Sequence, residues 1–290
     1  PELIDYAVKK GMRAVISTNG TLITEEKARI FAKFNLSYIG VSLDGIGGVN
    51  DAFRGVKGAF DKAMDGIRNA KKAGIKVGLR FTINKRNYKE IPRIFDLIDT
   101  EGIERACFYH LVYAGRGSEL MNEDLSHEET RKSVDYILDR TKSFFDKGKP
   151  IEVLTVDNHA DGPYLYMRLL REDPARAAEV FDLLMMNEGN ASGVGIACVD
   201  EEGNVHADQF WRHYSFGNVR ERPFSEIWMD TSNELMDKLK RKKEFVKGRC
   251  ARCRWLNICG GNFRVRAEAK TGDLWAEDPQ CYLTENEIAK

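Results

Sequence analysis

The first half of the chain alternates between short apolar runs and longer stretches of helical period. Met12 to Ser17 is a short apolar run closed by the turn Thr18-Asn19-Gly20, and Thr24 is placed to cap a helix continuing from Lys27 to Phe34. Tyr38 to Leu43 is a second run, ended by Asp44-Gly45. Phe60 to Ala73 spaces its apolar residues along one helical face and stops at Gly74. Ile75 to Ile83 predicts a third strand, Ile91 to Ile98 a helix ending near Gly102, and Ala106 to Val112 a fourth strand running into Gly115-Arg116-Gly117. Strands separated by helices of this length predict βαβ units, a parallel sheet and an α/β fold. Polar residues gather just past the strands: Ser17 to Asn19, Ser42 and Asp44, Asn84, and His110 to Arg116. Barrels and doubly wound folds build active sites at such strand ends. Taken singly, Asn-Gly and Asp-Gly are also ordinary turn signals.

The pattern then changes. From about Asn122 to Met186 it is mainly helical, with a loop near Val156 to Pro163. From about Gly193, Ile196 to Val199, the turn Asp200-Glu201-Glu202-Gly203 and Val205 onward read as a β-hairpin, followed by a helix over Phe224 to Leu239. After Lys247 the chain is rich in Cys, Gly and Arg. Three regions are expected: a barrel-like part over 1–120, a helical connector over 121–190 and a small C-terminal domain over 191–290. Pro1 stands where an initiator Met is usual and Glu2 to Lys10 already reads as helix, so a preceding segment is expected.

Composition narrows the function. Lys plus Arg number 45 and Asp plus Glu 45, a balance that argues against a general polyanion binder and against a nucleic-acid partner. No apolar run approaches a membrane span, and the first residues carry no signal-peptide pattern. A cytoplasmic location is expected. In a reducing compartment, closely spaced cysteines are metal ligands or catalytic groups more often than disulfides. Four of the six cysteines lie at or after position 250. Cys250 and Cys253 form C-x2-C, Cys259 follows after five residues, then Gly260-Gly261-Asn262, and Cys281 lies further on. Two thiolates on one turn, a nearby third and a distant fourth make a four-sulfur site, which suits either Zn²⁺ or an iron–sulfur cluster. Cys107, among apolar strand neighbours, reads as a small buried hydrophobe, and Cys198 as structural too.

These residues carry a resemblance. C-x2-C-x5-C with a distant Cys resembles the auxiliary-cluster region of radical S-adenosylmethionine (SAM) enzymes with a SPASM or twitch domain. The full SPASM pattern has a further Cys where this chain has Phe263, and a Gly-x4-Cys where Gly203 is followed by Asp208. The resemblance therefore implies one auxiliary 4Fe–4S cluster, held by Cys250, Cys253, Cys259 and Cys281. Ser17-Thr18-Asn19-Gly20 and Ser42-Leu43-Asp44-Gly45 look like strand ends of a partial radical SAM barrel. By that likeness Ser42 and Arg80 contact SAM, with Asn19 and Asp44 nearby. The C-x3-C-x2-C loop that binds the SAM-cleaving cluster is absent from this sequence. That second 4Fe–4S cluster is expected from residues before Pro1.

A narrower likeness lies in three segments: His110 to Gly117, Val156 to Asp161, and Asn204 to Tyr214 continuing through Gly217 to Trp228. They resemble the tetrapyrrole-modifying branch, the didecarboxysiroheme deacetylase and NirJ group of haem and haem d1 biosynthesis. This implies radical removal of acetate or propionate side chains from an iron tetrapyrrole, with a reductant or electron-transfer protein as partner. Arg116, Arg212, Arg264 and Arg266 are candidates for the substrate carboxylates. His110, His159, His206 and His213 could ligate iron or relay protons. Phe210, Trp211 and Tyr214 could stack on the ring, whereas His127 reads as an exposed helix-start residue. Alternatives are a SPASM peptide modifier, an iron-coproporphyrin decarboxylase, or a non-catalytic protein with a structural zinc site.

Overall fold

The computed structural model describes residues 2–289; Pro1 and anything before it lie outside them. Five strands form one parallel sheet in chain order: β1 (Val15–Thr18), β2 (Tyr38–Ser42), β3 (Val77–Thr82), β4 (Arg105–Tyr109) and β5 (Glu152–Val156). Between and around them run α1 (Glu2–Lys9), α2 (Glu25–Ala32), α3 (Gly48–Arg54), α4 (Ala59–Lys72), α5 (Ile91–Glu101) and α6 (His127–Asp146). Local chemistry sets the helix ends. Thr24 caps α2 by accepting from the Lys27 N–H at 3.3 Å, and Ser126 with Glu129 forms a capping box on α6. Gly102 closes α5 at a φ of 58°, a left-handed position that glycine tolerates without strain.

The fifth strand departs from the sequence expectation of four strands and then helices. Ile151 to Val156 is short and rich in β-branched residues between Gly148-Lys149-Pro150 and Asp157, a strand signal hidden in a region with mostly helical period. Its presence divides the expected 121–190 connector. One compact unit comprises residues 1–110 and 123–156, and the other residues 111–122 and 157–290.

In the first unit the sheet has two unlike faces, because alternate residues point to opposite sides. Ile39, Val41, Leu79, Phe81 and Phe108 are buried against Ile67, Ile94, Phe95, Ile98 and Ile137 from α4, α5 and α6. Phe95 stacks on Phe108 with ring centroids 5.2 Å apart. Each such side chain contributes about 1.5–3 kcal/mol by leaving water. The register places Ser42, Arg80 and Cys107 in one row of the other face, and Ser17, Gly40, Gly78 and Arg105 in the next.

The second unit is built from shorter pieces: α7 (Asp161–Glu172), α8 (Pro174–Asn187), the antiparallel pair β6 (Cys198–Val199) and β7 (Val205–His206), α9 (Phe224–Met229), α10 (Glu234–Lys240), α11 (Gly248–Arg252), α12 (Leu256–Cys259), α13 (Arg264–Thr271) and α14 (Glu285–Ile288). The single helix expected over 224–239 is broken. Asp230 accepts from the Ser232 N–H and pairs with Arg222, and Asn233 caps a new helix through the Met236 N–H at 3.0 Å. Val205, Ala207, Trp211, Met236, Leu239 and Phe263 form its core. Among the described residues no helix is long and apolar enough to cross a membrane.

Candidate functional site

The four expected thiols converge in the second unit. Cys250 lies in α11, Cys253 ends it, Cys259 ends α12, and Cys281 follows a turn closed by its N–H to the Asp278 carbonyl at 3.2 Å. All four line one cavity, together with Ala160, Trp255, Asn262 and Ile288. Helix α14 closes its rim: the Trp255 indole N–H donates to the Glu287 carbonyl at 2.8 Å. Among the described residues no three His, Cys, Asp or Glu side chains group tightly enough for one metal ion. The four cysteines share the lining of one cavity, and a cluster, in which each iron takes its own cysteine, is the kind of centre such a set could hold.

Electrostatics agree with thiolate ligation. Burial pushes Cys259 and Cys281 up to about 12 and raises Cys253, so without a cation these thiols stay neutral. Backbone N–H groups already point at the sulfurs: Trp255 at Cys253, at 3.4 Å, Gly261 at Cys259 and Leu283 at Cys281. Such donors favour the charged form that metal binding requires. The turn after Cys259 takes three left-handed residues in a row, Gly260, Gly261 and Asn262. A side chain at Gly260 would meet the Glu188 carbonyl at 2.8 Å and Lys242 Cε at 3.2 Å.

Two buried cations flank that turn. Lys242 is 5% exposed, its ammonium 3.5 Å from the Asn190 side-chain oxygen, and no carboxylate lies within ion-pairing distance among the described residues. Burial lowers it to about 8. Arg264 is equally buried and donates to the carbonyls of Gly261, Leu274 and Ala276, while its Nε has no acceptor. Buried cations without a carboxylate call for a nearby anion, and a four-thiolate centre provides one. The residues present thus fit an iron–sulfur cluster in charge as well as in sulfur count.

Several expected substrate residues serve the interior instead. Arg266 is fully buried and grips Asp278 at both oxygens, 2.9 and 2.8 Å, while donating to the carbonyls of Leu111 and Asp157. Arg264 and Arg266 are therefore not free for substrate carboxylates. Trp211 has no exposed surface and lies in the core, so it cannot stack on a ring. His206 is held between the Tyr214 carbonyl at 2.7 Å and Asp200 at 3.1 Å. Phe263 and Asp208, at the two positions where the resemblance implies further cysteines, are used structurally. Phe263 packs in the core, and Asp208 accepts from the Ser192 hydroxyl at 2.5 Å and from the N–H groups of Phe210 and Trp211.

His159 sits one residue before the cavity-lining Ala160. Its N–H donates to Asn262 and its ring stacks on Phe263, centroids 6.2 Å apart. Burial, with Lys242 adding to it, lowers it to about 4. Arg116, Arg212 and His213 are exposed, and His213 lines a second cavity with Tyr113, Phe210 and Glu268. Tyr214 is half-buried beside it, and its hydroxyl donates to Glu268 at 2.7 Å. Exposed His127 opens α6, as expected. Sequence reading missed Lys242, Asp278 and Asn262. Lys242 hides in the run Lys240-Arg241-Lys242-Lys243, which reads as a solvated charge cluster.

In the first unit, Asn19, Ser42, Asp44 and His110 follow or end their strands along the C-terminal edge of the sheet, and Arg80 stands within β3. Ser42 and Arg80 are register partners. The Arg80 guanidinium lies 4.5 Å from the Tyr109 ring centroid, and Gly40 makes room for its stem, since a Cβ there would be 2.9 Å from Arg80 Cδ. Asp44 is buried, ion-paired with Arg54 at 2.5 Å, and its N–H donates to Asn50. Asn19 accepts from the Thr21 N–H and hydroxyl, fixing the β1 loop. Cys107 is buried, as read, and Cys198 is half-buried at the start of β6.

A parallel sheet with polar strand ends, joined in sequence to four cysteines that line one cavity, is the combination expected of an iron–sulfur enzyme. Residues 1–98 match the Radical SAM superfamily and residues 190–254 the SPASM iron–sulfur cluster-binding domain. The chain belongs to the radical SAM superfamily, in its SPASM-containing group, whose cofactors are SAM and iron–sulfur clusters. Over 291 residues it is 67% identical to the Fe-coproporphyrin III synthase of Methanosarcina barkeri, covering 99% of this chain and 73% of that protein. It is 43% identical to the pre-heme d1 synthase of Dinoroseobacter shibae, covering 96% of this chain and 70% of that one. The solved structure of anSMEcpe with bound AdoMet and a Cp18Cys peptide superimposes with a TM-score of 0.70 at 16% identity, over 97% of this chain and 75% of that one. That likeness concerns the fold alone.

Proposed function

We propose that this chain is the SAM-binding and auxiliary-cluster portion of an enzyme that converts didecarboxysiroheme to Fe-coproporphyrin III. The observation that carries this reading is the 67% identity to a Fe-coproporphyrin III synthase along almost the whole chain. The 43% identity to a pre-heme d1 synthase also supports a tetrapyrrole substrate, and propionate removal, which the family resemblance implies, is the second reading. When bound with a reduced cluster, SAM supplies a 5′-deoxyadenosyl radical able to take hydrogen from a substrate side chain.

The chain's own residues have distinct tasks in this reading. Ser42 and Arg80 hold SAM, Asn19 shapes the β1 loop, and Asp44 with Arg54 holds the β2 loop in place. Cys250, Cys253, Cys259 and Cys281 ligate one auxiliary 4Fe–4S cluster, since Phe263 and Asp208 are committed to packing and loop closure. His110, Arg116, His159, Arg212 and His213 face or support the substrate, with arginines matched to its carboxylates. The connector and boundary residues contribute structure rather than chemistry. An external reductant delivers electrons.

Binding tests the reading directly. Anaerobically purified full-length protein should shift the visible absorption of added didecarboxysiroheme and of Fe-coproporphyrin III. A protein that leaves both spectra unchanged while binding a peptide would sink the tetrapyrrole assignment.

A further inference from the structure

The second unit holds a cavity of about 410 Å³ that plays no part in the cysteine site. Its apolar wall is Phe210 and Val265; its polar residues include Tyr113, His213 and Glu268. Val265 and Glu268 stand three residues apart on α13 and so share a face. Its volume lies in the range of small-ligand pockets.

The polar end is ordered as a relay. The Tyr214 hydroxyl donates to Glu268 Oε1 at 2.7 Å, and Glu268 Oε2 lies 3.2 Å from His213 Nε2. An ionised carboxylate only accepts, so Nε2 is the donor to Glu268, and in the neutral imidazole Nδ1 is then the nitrogen with the lone pair. Among the described residues Nδ1 has no hydrogen-bond partner. A histidine held by a carboxylate at one nitrogen and bare at the other is the arrangement of a metal-ligating imidazole. Among the described residues no group of three metal-ligating side chains accompanies this histidine, so a metal bound here would bring most of its own ligands. Next to the cavity residue Gly115 stands Arg116, exposed and without a carboxylate partner among the described residues. The site therefore offers an apolar wall and an imidazole nitrogen, with an exposed arginine next to it in sequence.

We propose that His213 is the axial ligand to the iron of a tetrapyrrole substrate, through Nδ1, with Glu268 and Tyr214 as positioning residues and Arg116 on a substrate carboxylate. This deepens the function proposed above and rests on it. The group recognised is an iron-bearing, carboxylated macrocycle, and the histidine makes the site prefer the iron form over the metal-free ring.

The probes are ferric Fe-coproporphyrin III and metal-free coproporphyrin III, added to full-length, cluster-loaded protein. Wild type should give absorption and EPR spectra of nitrogen-ligated ferric iron. His213→Gly should lose that signature, bind the iron form about 10–100-fold more weakly, and leave metal-free binding unchanged. Added imidazole should restore the signature. Glu268→Gln should keep the ligation but alter the spectrum, a change that a merely structural residue would not cause. A nitrogen-ligated spectrum unchanged in His213→Gly overturns the axial role while leaving the tetrapyrrole reading intact. Failure of wild type to bind either porphyrin overturns both. Far-ultraviolet circular dichroism and iron content of the variant establish that it is folded.

Discussion

The two units keep their order by different means. In the first, an apolar sheet face packs on helices, and among the described residues Asp44 is its one buried Asp, Glu, Lys or Arg. In the second, six such residues are buried: Asp161, Asp208, Lys242, Arg264, Arg266 and Asp278. Its strands are two residues long and several helices span a single turn. Hydrophobic burial can stabilise the first unit by itself. The second depends on matched charges, and near Cys259 the matching anion is the proposed cluster. The difference implies that loss of iron should loosen the second unit and leave the first intact.

The largest effect should come from a ligand. Cys259→Ser or Cys281→Ser should remove about four irons per chain and broaden unfolding of the second unit. All four tryptophans, Trp211, Trp228, Trp255 and Trp275, lie in that unit, so their fluorescence reports it selectively. An unaltered iron content would break the comparison at its centre.

Next comes the buried pair. Asp278→Ala should destabilise the second unit by about 3–5 kcal/mol, because it leaves Arg266 charged and unmatched, and adding Arg266→Met should recover much of the loss. Phe108→Ala in the first unit should cost a similar 3–5 kcal/mol or so through its cavity, with no second substitution in a charged residue able to restore it. Urea unfolding followed by tryptophan fluorescence and circular dichroism separates the two.

Smaller effects sharpen the contrast. Arg80→Ala should weaken SAM binding about tenfold, about 1.4 kcal/mol, with iron at the four cysteines unchanged; equilibrium dialysis measures it. Lys242→Met should make the auxiliary cluster harder to reduce, since a buried positive charge favours the more negative reduced state. The midpoint potential should fall by about 60 mV for each tenfold change in the equilibrium, read by EPR-monitored redox titration, with Lys242→Arg close to wild type. His159 gives the smallest effect. Its pKa is lowered to about 4 in the folded chain against an ordinary value of 6.5. The unfolded chain therefore takes up the proton first as pH falls. The second unit should be at full stability above about pH 6.5 and lose about 1–2 kcal/mol on going down to pH 4, less than the full shift because the ring is only half-buried. His159→Phe should flatten that slope.

Much of the first unit was legible because its period is regular. Four strands, the Thr24 cap and the Gly74 and Gly102 stops follow from local patterns. Strand β5 was not, because a five-residue strand between two long helices carries little weight against the helical period around it. The four cysteines were legible because ligand spacing is local chemistry. Trp211 and Arg266 were misread because an aromatic or an arginine in sequence has no address. Burial and the Asp278 partner, 12 residues away, are set only by the folded turn. Lys242 was invisible for the same reason: nothing in Lys240-Arg241-Lys242-Lys243 marks which lysine turns inward.

The most direct test of the account is product formation by the complete, anaerobically reconstituted enzyme given SAM, a strong reductant and didecarboxysiroheme. The account predicts 5′-deoxyadenosine together with Fe-coproporphyrin III. It also predicts that Cys281→Ser abolishes tetrapyrrole turnover. Absence of 5′-deoxyadenosine and of any change in the tetrapyrrole, with both clusters in place, would contradict it.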